Sequence, residues 1–196
     1  MKLVFTILFS VLFSFFMKSQ KLSSYEKCWA IQHPFAAIKV KQISKNCFKM
    51  YTKIQLSKQL DTFSNGGTLD AFRHVFFMAA FAQKIKEKKL NKLGIAHEKG
   101  NYKQFLKNKL ENGELPDSIA TVMDLKNNAL GFFIAQKHKT KSLEELAQVV
   151  IVAIKNGEAL IVKRNKAGSY IDCNGNIIVF TTKKWVTAKC LVASNN

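Results

Sequence analysis

The chain has 196 residues, 47% of them hydrophobic, which excludes a disordered or fibrous protein and suits one domain with its own core. Lys and Arg number 31 against 13 Asp and Glu, a net charge of +18. That excess excludes a strongly basic partner and suits an anionic one such as phospholipid, an envelope polymer or nucleic acid. Lysines scattered over solvated helix faces, as in KIKEKKLNK, also contribute to it.

The first twenty residues, MKLVFTILFSVLFSFFMKSQ, place Lys2 before an apolar run from Leu3 to Met17 and end on polar residues. This is the shape of a signal peptide, predicted to be removed near Ser19 or Gln20 on export. The run is shorter than the roughly 20 residues of a spanning helix, although a retained anchor is the alternative. No cysteine sits at the cut, so no lipoprotein is expected.

Ser24 to Leu60 reads as two helices broken near His33-Pro34, because Pro34 ends one helix or opens the next. DTFSNGG is a loop from which Ser64 or Thr68 could cap the following helix. Thr68 to Lys89 is the longest helical pattern. Its first half is apolar nearly all round, as in a central helix covered on most sides. Another helix is expected from Leu93 to Leu110. ENGELPDS is then a loop, with Asp117 or Ser118 capping IATVMDLKNNALGFFIAQKH. Ser142 to Lys155 opens with Ser142 and Glu145 at capping-box spacing. The last forty residues turn to β-branched runs around Asn174-Gly175, a hairpin-turn pair. The predicted fold is mainly α, a compact multi-helix bundle with a small C-terminal β-hairpin. Residues 24–156 form the helical domain and 157–196 an extension of it.

Four cysteines remain, and export would permit disulfides. The sequence-local pairing, Cys28–Cys47 with Cys173–Cys190, is expected among the three that four cysteines allow. None of the spacings resembles a zinc-thiolate motif.

Within SNGGTLDAFRHVFFMAAFAQ, three polar groups enter an apolar helix: Asp70, Arg73 and His74. Asp70 and His74 are four apart and share a face. His97 and Glu98 follow in AHE, and MDLKNNALG sets Asp124, Asn127 and Asn128 at i, i+3 and i+4. Burying one such group unpaired costs several kcal/mol, so they must meet partners. A buried hydrogen-bond network stapling the helices is one solution. A metal-dependent hydrolytic site is the other. There Asp70 and His74 reach one divalent ion such as zinc, with His97 and Asp124 completing the shell. Glu98 would act as general base, and Arg73, Asn127 and Asn128 would hold a phosphate or carboxylate of the substrate. A metal-free variant has His74 as base oriented by Asp70. HExxH is absent, so this is no zincin.

NGGTLDAFRHVFFMAA, AHE and MDLKNNALG together resemble a bacterial domain family of unknown activity. Its members carry NGG-x-x-DAFRH, A-H-E and MD-x-x-NN-x-x-G in that order, in secreted proteins and at the C-termini of toxin-like or cell-surface proteins. The resemblance covers about Trp29 to Ile154. It implies a mostly helical fold with Asp70, Arg73, His74, His97, Glu98, Asp124, Asn127, Asn128 and Gly131 clustered. One position departs: Lys126 stands where a His is expected before the Asn pair, which implies weakened metal binding if that His is a ligand.

Three functions compete. One is an exported, periplasmic or extracellular hydrolase of an envelope polymer, lipid or phosphodiester. Another is a toxin-like effector on the same core, needing an immunity protein. The last is a non-catalytic envelope or binding module whose polar cluster is structural. No nucleic-acid-binding motif is present, so that partner rests on charge alone.

Overall fold

Residues 22–196 are described by a computed structural model; the predicted signal peptide lies outside them. Helix α1 (Ser24–Gln32) starts from a capping box, in which Ser23 and Glu26 each bond the other's backbone N–H. It stops at His33, and Pro34 opens α2 (Pro34–Ser57), which at 24 residues is the longest helix described. Helices α3 (Thr68–Ala82) and α4 (Glu87–Leu106) follow, then α5 (Ser118–Lys137) and α6 (Leu143–Lys155). The expected helix through Lys89 therefore ends seven residues early. Its lysine-rich tail turns at Gln83–Ile85 and restarts as α4, because Leu90 must stay in the core while the tail leaves it.

Predicted caps are found at Asp117, whose Oδ1 accepts from Ile119 and Ala120, and at Ser142, which forms a capping box with Glu145. The start of α3 differs. Gly67 is its N-cap, and neither Ser64 nor Thr68 caps it by side chain. Asp61 reaches back instead: its carboxylate accepts the backbone N–H groups of Thr68 (2.6 Å) and Leu69 (3.2 Å). A carboxylate at a helix N-terminus meets unpaired N–H donors and the positive end of the dipole.

Helix α3 is central. Phe72, Val75, Phe76 and Ala79 are buried against α2, α5 and α6, while Met78 and Phe81 are buried in a second cluster with Trp29 and Leu90. Its closest partner is α5, where Gly131 lets the backbones meet: a Cβ there would lie 2.5 Å from the Val75 carbonyl oxygen. This approach brings the polar face of α5 against that of α3.

The C-terminal extension forms a two-stranded antiparallel sheet from β1 (Leu160–Val162) and β2 (Leu191–Ala193). Asn174-Gly175 does make a turn, with Gly175 at φ +91, but its flanks share only an isolated bridge, Ile171–Ile177. The sheet pairs segments thirty residues apart rather than the two arms of that turn. A disulfide joins Cys173 to Cys190. The expected Cys28–Cys47 bond is not formed: Cys28 is exposed on α1 and Cys47 is buried among the core residues of α2. Cys47 sits about 20 Å along α2 from Pro34, facing the bundle interior.

Candidate functional site

The NGG loop is where the site begins. Gly66 adopts φ +70, a conformation open to glycine, and there its N–H donates to Asp70 Oδ2 at 2.7 Å. Its carbonyl accepts from Val162 N, which ties the loop to β1. The second oxygen of Asp70 accepts from Arg73 Nη2, also at 2.7 Å. Burial pushes the Asp70 carboxyl above its ordinary range, and Arg73 and the Gly66 N–H oppose that rise.

His74 lies on the same face one turn later. Its Nδ1 is 3.3 Å from Asn128 Oδ1, and an amide oxygen only accepts, so Nδ1 carries the proton. Nε2 is left with a lone pair, which accepts from Arg73 Nη2 at 3.1 Å. Burial, reinforced by the Arg73 charge, holds His74 well below the usual histidine range, so the ring is neutral.

The same Nε2 is 3.3 Å from Asp124 Oδ1 and 3.6 Å from Asp70 Oδ1. Ligand atoms of Asp70, His74 and Asp124 all lie within 4.8 Å of one another. Ligands of a tetrahedral zinc ion sit roughly 3.3–3.6 Å apart, given bonds of about 2.0–2.2 Å, so the wider pairs of the triad would have to close in by roughly 1 Å to share one ion. Asp124 Oδ1 has no hydrogen-bond partner although it is buried. An unprotonated Nε2, even one that accepts from Arg73, facing an unpartnered carboxylate oxygen is repulsive unless a proton or a cation lies between them. Without a metal, burial and then the negative charges of Asp70 and Glu98 push Asp124 well above the ordinary carboxyl range and supply that proton.

His97 stands apart from this triad. Its Nδ1 is 3.2 Å from Glu26 and its Nε2 3.3 Å from Glu111. Burial alone would lower its pKa, but these two carboxylates hold it well above the histidine range, as an imidazolium. A doubly paired imidazolium has no lone pair for a metal. Glu98 is buried, with Oε2 accepting from Thr121 Oγ1 (2.9 Å) and Asn101 (3.4 Å). Its Oε1 has no partner. Burial, opposed by the His97 charge, pushes Glu98 up to about 7.

Asn127 and Asn128 diverge. Asn128 orients His74, whereas the Asn127 amide pairs with the Leu160 backbone, donating to its carbonyl and accepting its N–H, both at 2.9 Å. Asn127 therefore holds β1 to α5. Lys126 is exposed and faces away from the triad. Arg73 and His97 keep 22% and 29% side-chain exposure and are the site's contact with solvent. Two surface clefts lie elsewhere, one lined by Ile85 and Phe132, the other by Val149 and Val152.

Sequence reasoning missed Glu26, Glu111 and Thr121. Thr121 precedes Asp124 by three residues, so its shared face was readable. Glu111 lies in a turn closed by paired Glu111–Glu114 backbones, and no periodicity points to it.

No curated protein matches the chain, and no solved structure does. A family model described as a domain of unknown function, DUF6973, matches residues 27–158, a span that holds the whole triad and the five helices α2 to α6, and the chain belongs to that family.

Proposed function

We propose that the protein is a metal-assisted hydrolase in which Asp70, His74 and Asp124 hold one divalent ion such as zinc. The observation that carries this reading is the unpartnered, buried Asp124 Oδ1, 3.3 Å from the unprotonated Nε2 of His74. Three protein ligands with an open fourth position are the usual catalytic arrangement. When bound, the ion would polarise a substrate oxygen and acidify a water.

The chain's own residues do the rest. Asn128 fixes the His74 tautomer that presents Nε2. Glu98, poised near neutral pH with one free oxygen, is suited to take a proton. Arg73 now fills the position between Asp70 and His74. A metal would displace it toward solvent, where its guanidinium could grip a phosphate or carboxylate of the substrate. Such a substrate is an envelope polymer, lipid or phosphodiester outside the cytoplasm. Export would agree with the leading apolar run and the Cys173–Cys190 disulfide, and among the described residues no helix is long and apolar enough to cross a membrane. A toxin-like effector with an immunity partner is the same chemistry in another setting.

Arg73 also supports a second reading. With its Nη2 bonded to both Asp70 and His74, the cluster is a coherent salt-bridge network without metal. Zinc titration by calorimetry, with hydrolysis assays on phosphodiester, lipid and envelope extracts, separates the two. The hydrolase reading expects about one zinc per chain and turnover. His74→Ala would lose both zinc and turnover, and Glu98→Gln would lose turnover while retaining zinc. A wild type that binds no divalent ion and turns over nothing leaves the network reading.

A further inference from the structure

Helix α2 buries Ala36, Cys47, Met50 and Ile54 against the bundle. At 100° per residue its opposite face presents Lys41, Lys45, Lys49 and Lys53, spaced by four so that they wind across the outer surface. Lys39 flanks them, and α2 contains no Asp or Glu. None of the ion pairs among the described residues involves an α2 lysine. The same face exposes large apolar side chains at both ends of the row. Phe35 is 81% exposed and Leu56 75%, with Ile38 also exposed.

We infer that the outer face of α2 is a docking surface for a bilayer containing anionic phospholipid. The helix is about 36 Å long and its inner face is committed to the core, so it would lie along the surface as a rigid edge of the domain. Lysine stems lie along apolar surface while their ammonium groups reach phosphate headgroups, and Phe35, Ile38 and Leu56 enter the boundary with the acyl chains. A nucleic-acid strand would satisfy the lysines but leave Ile38 and Leu56 uncovered in water. The bilayer accounts for both features at once. This surface is separate from the Asp70–His74–Asp124 site and does not depend on that site's being catalytic.

The test places a reporter on the face of the full chain with Phe35→Trp, read against the unsubstituted protein, which contains Trp29 and Trp185. Vesicles of brominated zwitterionic phospholipid, alone or with about a third anionic phospholipid, are titrated in at low and high salt. The introduced indole should be quenched by the anionic vesicles, at least about tenfold more strongly than by the zwitterionic ones, with the difference lost in high salt. Lys41→Glu/Lys45→Glu/Lys49→Glu in the same background should abolish that difference while the far-UV circular dichroism is unchanged. If that variant misfolds, the Lys→Gln triple replaces it with the same expectation. Equal quenching by both vesicles, no quenching, or quenching unaffected by the charge changes would overturn the proposal. So would a response to a single-stranded oligonucleotide without one to vesicles.

Discussion

Asp124 carries the site's electrostatic problem. Its carboxyl is buried, lies near Asp70 and Glu98, and leaves one oxygen without a hydrogen bond. A folded-state pKa raised above the unfolded value means that this group favours folding below the ordinary carboxyl range. That contribution is lost as pH rises through the elevated value. Above the ordinary carboxyl range Asp124 therefore opposes folding unless a cation neutralises it. Asp124→Asn removes the charge and can donate an amide N–H to His74 Nε2. The apoprotein variant should be as stable as wild type at pH 8, or more stable by roughly 1 kcal/mol, in urea unfolding, with no gain at acid pH. Its zinc affinity should fall more than about a hundredfold, since a ligand is lost rather than a supporting bond. Wild-type zinc affinity in Asp124→Asn would remove Asp124 from the ligand set.

At the scale of elements, the His97 imidazolium joins Glu26 on α1, its own helix α4, and Glu111 in the turn that follows. The sequence marked His97 as a metal ligand, but its contacts make it a clamp. Because its folded pKa lies well above 6.5, its contribution is fully present below about pH 6.5. It is lost as pH rises through the higher folded value. Glu98, folded near 7 against an unfolded 4.5, adds a loss in the same direction between those values. His74 acts oppositely: held neutral when folded, it costs stability as pH falls below 6.5. Thermal melts should therefore decline from pH 6.5 toward pH 9. His97→Gln should lower stability by about 1–2 kcal/mol at pH 6 and flatten the alkaline decline, because partly exposed pairs are screened. An unaltered alkaline slope in His97→Gln would show that the clamp contributes nothing to it. Packing of α3 on α5 is a matter of elements too, and Gly131 leaves the room for the Val75 carbonyl at their closest approach.

Over the whole molecule, the extension is fastened to the helical body at several points. Asn127 bonds Leu160, Ser194 bonds the Ile154 carbonyl, and buried Lys189 pairs with Asp117 at 2.8 Å. Arg164 lies over the rings of Phe63 and Tyr170 and donates to the Asn65 carbonyl, so the extension also buttresses the NGG loop. Cys173–Cys190, 17 residues apart, closes the segment that supplies β2. Loop closure of that length contributes roughly 3 kcal/mol, so reduction should lower Tm by roughly 6–12 °C. Burial pushes the Cys47 thiol up to about 12, which keeps it out of thiol exchange during the measurement. A melt unchanged by reductant would show that the other fastenings suffice.

Local sequence is enough for the helical class, the break at Pro34, the caps at Asp117 and Ser142, and the shared face of Asp70 and His74. Each follows from local chemistry: a missing N–H, an oxygen near free helix donors, a repeat of four residues. The Asn174-Gly175 turn was legible for the same reason, but its ladder was not, because strand partners thirty residues apart are chosen by where the body leaves room. Which polar residues meet depends instead on how the helices pack. Asp70, His74 and Asp124 converge because Gly131 lets α5 approach α3, and His97 turns instead to Glu26 and Glu111. Asn127 and Asn128 are adjacent in sequence, yet a 100° step round α5 sends one to β1 and the other to His74. Cys28 and Cys47 were paired by nearness in sequence, whereas helix geometry separates an exposed thiol from a buried one.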